Sequence, residues 1–196
     1  MGNLITHNKD WNYCLFDMPY IRENQEEILK SCHRTLTNIN EICQSKEENV
    51  TWFYHRYNVF SASAGDIHFY KIYAELVDCV RQFFILEKIE YDEQLWIQSW
   101  LNNHGIEDLL TRHDHQSPVS GYFSIDPKES QTTFYYRHSD EIAYSIQNKI
   151  GQLYIGPGKI DHEVLVDNKF EGRRITIAFD IDNTPSTNLG QIPLIL

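Results

Sequence analysis

Basic residues are scarce in this 196-residue chain: Lys and Arg number 17 against 28 Asp and Glu, giving a net charge of −11 with histidines neutral. A surface of that average sign repels a phosphate backbone, so nucleic acid is not an expected partner. Cysteine is sparse as well. Cys14, Cys32, Cys43 and Cys79 show no paired metal-ligand spacing, and a chain this long buries enough apolar surface to fold without disulfides, so all four read as reduced and structural. No stretch is apolar for long enough to cross a bilayer, and Met1 to His7 lacks a basic segment followed by an apolar run, so neither a membrane span nor a secretory leader is expected. The expected protein is soluble and cytoplasmic, which leaves the Asn49-Val50-Thr51 glycosylation sequon without a role. Repeats and low-complexity segments are also missing, and the length suits a single domain over 1–196.

What is present is distributed unevenly. Helical periodicity fills the first part, about 1–92, which is expected to provide helical support and flanking strands. Ile21, Ile28, Cys32, Leu36, Ile39 and Cys43 recur at helical spacing behind Asp17 and Pro19, predicting an amphipathic helix from about Pro19 to Cys43. A second helix is expected from Gly65-Asp66 to about Leu86, with Ile67, Tyr70, Tyr73, Val77, Val80 and Phe84 as its buried stripe. Between them, Thr51 to Tyr54 is aromatic and β-branched and reads as a strand. From about 93 to 182 the chain breaks into strand-sized pieces: Leu95–Leu101, Leu109–His113, Gly121–Ile125, Thr132–Tyr136, Ile142–Ile146, Leu153–Ile155, Glu163–Val166 and Arg174–Ile181. Turn chemistry separates them at Asn102 to Gly105, Asp126-Pro127, Gly156-Pro157-Gly158 and Glu171-Gly172. Eight short strands predict two sheets, and a jelly-roll or double-stranded β-helix is their natural closure. The expected class is therefore α+β, mainly β, cupin-like, with the two helices packed on one outer face. The tail, 183–196, ends in the apolar Ile192 to Leu196 and is expected to fold back on the domain.

Candidate chemistry collects in the β-rich part. His113 and His115 are two residues apart, so in an extended segment both imidazoles face the same side and can reach one ion, and His162 supplies a third. Arg174 lies beyond that histidine on an apolar strand, where a planar guanidinium suits a carboxylate. Each residue also has a plainer reading. Nine histidines make a close pair common, His162 can simply begin a strand, and Arg174 can pair with Asp180 or Glu163 as a structural salt bridge. Trp96, Trp100 and Tyr122 suit a core, and Tyr135 to His138 an exposed hairpin.

In order along the chain, Trp100-Leu101-Asn102, Gly105, His113 to Phe123, Gly151-Gln152-Leu153, Gly156-Pro157, His162 and Arg174 to Phe179 resemble the Fe(II)- and 2-oxoglutarate-dependent oxygenases, in particular their uncharacterised phage and bacterial branch. The likeness covers roughly residues 95–181. It implies that His113, His115 and His162 bind Fe(II) and that Arg174 grips the far carboxylate of 2-oxoglutarate. Arg174 is chosen over Arg173 by face, since Arg174, Thr176 and Ala178 share one side of the strand. Thr176 is implied as a second donor to the same carboxylate, with Tyr122 and Ser124 as further candidates, and Trp100 and Asn102 as candidates for the substrate pocket. The implied reaction consumes dioxygen and hydroxylates a small molecule or peptide.

Two positions depart from the family pattern. His115 stands where a carboxylate is usual, so the site carries one negative charge fewer, and Asp114 in a regular strand points away from it. Phe123 and Ser124 stand where tyrosines are usual. Two other readings therefore remain beside the first: a three-histidine, cupin-type dioxygenase that uses no 2-oxo acid, and a jelly-roll binding or structural protein that has lost the reaction.

Overall fold

A computed structural model of the protein describes residues 2–43, 56–106, 108, 111–166, 169–186 and 190–196. The strand expected over Thr51 to Tyr54, and the sequon, lie outside the described residues. Among the described residues four helices form: α1 (Pro19–Glu23), α2 (Gln25–Cys43), α3 (Val59–Ala62) and α4 (Ile67–Glu87). The first helix expected from the sequence is broken at Asn24, whose side-chain amide and backbone N–H both donate to the Tyr20 carbonyl. The start of α4 falls where the sequence placed it, because the Asp66 side chain accepts from the backbone N–H groups of His68 and Phe69. No helix among the described residues is long and apolar enough to cross a membrane.

The buried stripe of α4 corrects the sequence reading. Phe69, Ile72, Leu76, Cys79, Val80, Phe83 and Phe84 are buried, whereas Ile67 and Tyr70 are 57% and 70% exposed. Two apolar ladders run along this helix at three-and-four spacing. The one that packs lacks phenol groups, while the other carries two tyrosines whose hydroxyls are better solvated at the surface.

Ten strands follow: β1 (Asn3–Asn8), β2 (Tyr13–Asp17), β3 (Leu95–His104), β4 (Val119–Asp126), β5 (Ser130–Tyr135), β6 (Ile142–Gln147), β7 (Gln152–Pro157), β8 (His162–Val166), β9 (Arg174–Asp182) and β10 (Ile192–Leu194). The larger sheet has the order β1-β2-β7-β4-β9-β3-β10 and the smaller β6-β5-β8. The strand expected over Leu109–His113 lies partly outside the described residues; within them, His113 makes a single bridge with His162, which adds one rung beside β8. Counting that rung, eight segments from Leu95 onward interleave as β3-β9-β4-β7 against bridge-β8-β5-β6. The tail contributes β10, paired to β3, with Leu194 buried.

The larger sheet is covered on both sides. Its outward residues, among them Leu101, Phe123, Leu153, Ile155, Ile175, Ile177 and Phe179, join Ile28, Cys32, Leu36, Phe69, Ile72 and Leu76 of the helices in one apolar core. Its inward residues face the smaller sheet, where Tyr13, Phe134, Ile146 and Tyr154 form a second cluster. On the N-terminal hairpin, His7 and Cys14 are cross-strand partners, with Glu87 closing a third corner. There Glu87 is satisfied by His7 at 2.6 Å and by the turned amide of Asn12 at 3.3 Å, and burial pushes the Cys14 thiol up to about 12, so the cluster is a closed ion pair. The described cysteines Cys14, Cys32 and Cys79 are free and buried.

Candidate metal and carboxylate site

The bridge between His113 and His162 makes both reciprocal bonds, at 3.0 and 2.8 Å, so the two side chains leave the backbone on one side as neighbours. His115 is held by its own N–H, which donates to the Gly158 carbonyl at 2.9 Å, while the Gly158 N–H donates to Pro118 at 3.2 Å. That contact needs glycine, because a Cβ at position 158 would lie 2.2 Å from the Ser117 carbonyl oxygen. Arg112 ties the segment down from outside, donating to Asp140, to the Ser139 carbonyl and to Asp161, with its guanidinium over the Tyr135 ring. Its neighbours in sequence, His113 and, beyond Asp161, His162, are thereby fixed as well.

The three imidazoles converge. One ring nitrogen from each of His113, His115 and His162 lies within 4.8 Å of the others, and the ring centroids are 4.5–5.4 Å apart. Nδ1 of His113 donates to the Thr111 carbonyl at 2.8 Å, and Nδ1 of His162 to the Ile160 carbonyl at 3.0 Å. A carbonyl oxygen only accepts, so in both rings Nδ1 carries the proton and Nε2 keeps its lone pair. Burial pushes His162 down to about 3, the adjacent imidazoles adding to the effect, and burial also lowers His113. Both are neutral near pH 7, the form that ligates a metal.

A second polar group lies deeper between the sheets. Arg174 is 3% exposed and its Nε donates to Ser130 Oγ at 3.0 Å, yet no carboxylate among the described residues pairs with it. The plainer reading therefore fails: Asp180 stands against His115 and Glu163 accepts from Tyr135. Burial lowers the guanidinium from 12.5 to about 10, the mark of a cation stripped of water and left uncompensated. Arg173, on the other face, pairs with Asp108 at 2.9 Å nearer the surface. Around Arg174 the inward residues are polar: His104 is its partner on β3, and hydroxyls lie beyond it. Thr176 lies between Asn102 on β3 and Ser124 on β4, and Tyr122 is one rung on, opposite Ala178. Asn102 Nδ2 donates to Thr176 Oγ1 at 3.1 Å, which leaves the threonine proton to offer elsewhere. Ser124 Oγ is buried without a partner, and the Tyr122 phenol approaches Thr132 outside hydrogen-bond geometry. Buried donors beside a buried cation, lacking an acceptor among the described residues, have the chemistry that suits a carboxylate.

No family model and no curated protein sequence matches this chain. Solved structures do. A non-haem alpha-ketoglutarate-dependent carbocyclase from nogalamycin biosynthesis, SnoK, aligns over 94% of this chain and 84% of its own, at 6% identity and TM-score 0.63. The alpha-ketoglutarate-dependent epimerase SnoN of the same biosynthesis aligns over 90% and 78%, at 10% identity and TM-score 0.57. HygX from Streptomyces hygroscopicus, solved with nickel and 2-oxoglutarate, aligns over 91% and 85%, at 9% identity and TM-score 0.56.

The fold is the double-stranded β-helix. Within it, the structure brings His113, His115 and His162 together at one end of the inter-sheet space and gathers Arg174, Thr176, Ser124 and Tyr122 on the inner face of the larger sheet. Trp100 lies at the imidazole end, its ring stacked on His115 with centroids 5.8 Å apart. Asn102 lies on the same face of β3 as Trp100, against Thr176. Asp180 was missed as a site residue. The signal was available, since the alternation that puts Arg174, Thr176 and Ala178 on one face of the β-helix puts Asp180 there too.

Proposed function

We propose that the protein is a non-haem Fe(II)- and 2-oxoglutarate-dependent oxygenase that hydroxylates a small-molecule or peptide substrate. The observation that carries this is Arg174: a buried guanidinium without a carboxylate partner among the described residues, on the same inner face as the unsatisfied hydroxyls of Ser124 and Tyr122 and in the same compartment as three converging imidazoles. A metal alone would account for the histidines but not for the arginine. The names of SnoK, SnoN and HygX, which share the fold, support the same reading.

His113, His115 and His162 would hold iron through Nε2, leaving the opposite face of the ion open. Arg174 would pair with the distal carboxylate of 2-oxoglutarate, assisted by Thr176, Ser124 and Tyr122. Bound iron and co-substrate supply the chemistry, in which the 2-oxo acid loses carbon dioxide to become succinate and one oxygen atom of dioxygen enters a C–H bond. The chain contributes neutral ligands of fixed tautomer in His113 and His162, a cationic seat and, beside them, the packed aromatic cluster of Tyr13, Phe134, Tyr144 and Tyr154.

Anaerobic addition of Fe(II) and then 2-oxoglutarate to metal-free protein should produce a weak visible charge-transfer band. Iron bound without that band, with no succinate formed in air, would favour the three-histidine dioxygenase that uses no 2-oxo acid. No iron bound would remove both enzymes.

A further inference from the structure

We propose that Asp180 is a positioning residue for the metal centre, the carboxylate partner of His115 Nδ1, and that it returns through that imidazole the negative charge absent from the three-histidine ligand set. The inference rests on the three-imidazole reading of the site and adds to it a residue from β9.

The three histidines are not equivalent. His113 and His162 each turn Nδ1 to the neutral carbonyl two residues upstream. His115 has no such local acceptor, and its Nδ1 lies 2.8 Å from Asp180 Oδ1. Asp180 is 8% exposed, inward on β9 between Gln98 and Ser120, and its Oδ1 lacks a well-aligned hydrogen bond among the described residues. A carboxylate so placed is costly unless it is paired, and the His115 ring is within reach to pair it. Asp180 does not belong to the group of ligand atoms within 4.8 Å of one another, so it stands behind the imidazole and not beside the ion.

Each remaining degree of freedom of the His115 ring has an assigned restraint. Stacking on Trp100 and a near-parallel arrangement with His162, at 5°, set the plane of the ring. Asp180 sets which nitrogen faces the ion: once Nε2 is engaged, Nδ1–H is the only donor left, and the short contact needs only a small rotation to become a charge-assisted hydrogen bond. Three neutral imidazoles leave a divalent ion with its full charge inside a low-dielectric compartment. A carboxylate one ring away offsets part of it and makes His115 a more basic ligand.

The test is anaerobic Co(II) titration of the metal-free chain and of D180N, H115D and the H115D/D180N pair, read by the Co(II) absorption bands. D180N should bind about 10- to 100-fold more weakly than the unaltered protein, with shifted bands. In H115D the ligand itself carries the charge, so adding D180N should cost nothing further. Equal affinity and equal bands for D180N and the unaltered protein would overturn the proposal. So would an equal loss on adding D180N to either background, which is what a merely structural role would give. A readout needing no change at Asp180 is the proton spectrum of the unaltered Co(II) protein: three shifted, exchangeable ring N–H signals are expected, and the one lost in H115D should exchange slowly with solvent. Rapid exchange of that proton would also refute the pairing. If the unaltered protein binds no Co(II), the three-imidazole reading itself fails, a result distinct from all of these.

Discussion

Replacing Arg174 with methionine should make the metal-free protein more stable while destroying its affinity for 2-oxoglutarate. The fall in the guanidinium pKa from 12.5 to about 10 corresponds to roughly 3 kcal/mol lost by the charged form on burial. At 3% exposure almost none of that is recovered from solvent. Methionine removes the charge at similar volume and forfeits the bond to Ser130 Oγ, worth about 1–2 kcal/mol. A net gain of about 1–2 kcal/mol follows, or a rise in Tm of about 2–6 °C for a chain of this size. The ligand responds in the opposite sense. A dicarboxylate whose distal end enters the same compartment without a cation leaves a buried anion unpaired, at about 3–5 kcal/mol, which is about two to four powers of ten in Kd. Thermal unfolding of the metal-free protein measures the first effect, and unfolding in the presence of Mn(II) with and without 2-oxoglutarate measures the second. Arg173→Met is the control: it breaks only the outer pair with Asp108 and should change each quantity little. A less stable apo protein that still binds 2-oxoglutarate would show that Arg174 is a structural cation and that the carboxylate seat has been misread.

Other changes separate the parts of the site. His162→Ala should abolish stoichiometric Fe(II) binding, measured by metal analysis after desalting; normal metal content would remove His162 from the site. Gly158→Ala should push Ser117 and the His115 loop outward, costing about 1–3 kcal/mol in urea unfolding and weakening metal binding, whereas unchanged metal affinity would show that the loop is not what places His115. Tyr122→Phe removes a buried, poorly satisfied hydroxyl, so apo stability should hold or rise while 2-oxoglutarate binds about 5-fold more weakly by calorimetry, and unaltered binding would exclude the phenol from the seat. Burial holds His104 down to about 4, so the unfolded chain takes up a proton near pH 6.5 that the folded chain refuses until about pH 4. Stability of the metal-free protein should therefore be full above about pH 6.5 and fall by about 3 kcal/mol towards pH 4, a share of the slope that His104→Gln should abolish.

The strand-sized segments of the β-rich part and the shared face of Arg174, Thr176 and Ala178 were legible because turn residues mark the first and alternation gives the second. Arg174, Thr176 and Ala178 had to share a side of β9, and the cross-strand register then fixed Asn102, Ser124 and Tyr122 beside them. Of the strands that escaped notice, Asn3–Asn8 and Ile192–Leu194 are the edges of the larger sheet, the first largely exposed and polar and the second containing a proline, while Tyr13–Asp17, paired on both sides, is only five residues long, so none carries a clear alternating pattern of its own. The phase of α4 was legible at Val80 and Phe84 but not at its start, where Ile67 and Tyr70 are exposed: apolar residues nearly encircle the helix, and packing against α2 and the sheet selects the Phe69-Ile72-Leu76 ladder. Asp180 was visible to the same alternation but invisible in role, because the contact that gives it one, with His115, crosses 65 residues and depends on where Gly158 seats a loop.

The two faces of the larger sheet make the functional argument by contrast. Outward, Ile175, Ile177 and Phe179 are packed into an apolar core with the helices. Inward, the alternate positions of the same strand are Arg174, Thr176, Ala178 and Asp180: a cation, a hydroxyl, a methyl and an anion, buried as deeply and much less well satisfied. At about 3.3 Å per residue the cation and anion are some 20 Å apart along the backbone, so they do not neutralise each other. Between them Ala178, the smallest side chain of the four, is flanked by Trp100 and Tyr122. A core selected for stability alone would fill position 178 and pair or delete the charges at its ends. On the proposed reading the pattern has a use: the anion end of the strand backs a metal ligand, the cation end meets the far carboxylate of a linear diacid, and little bulk stands between them.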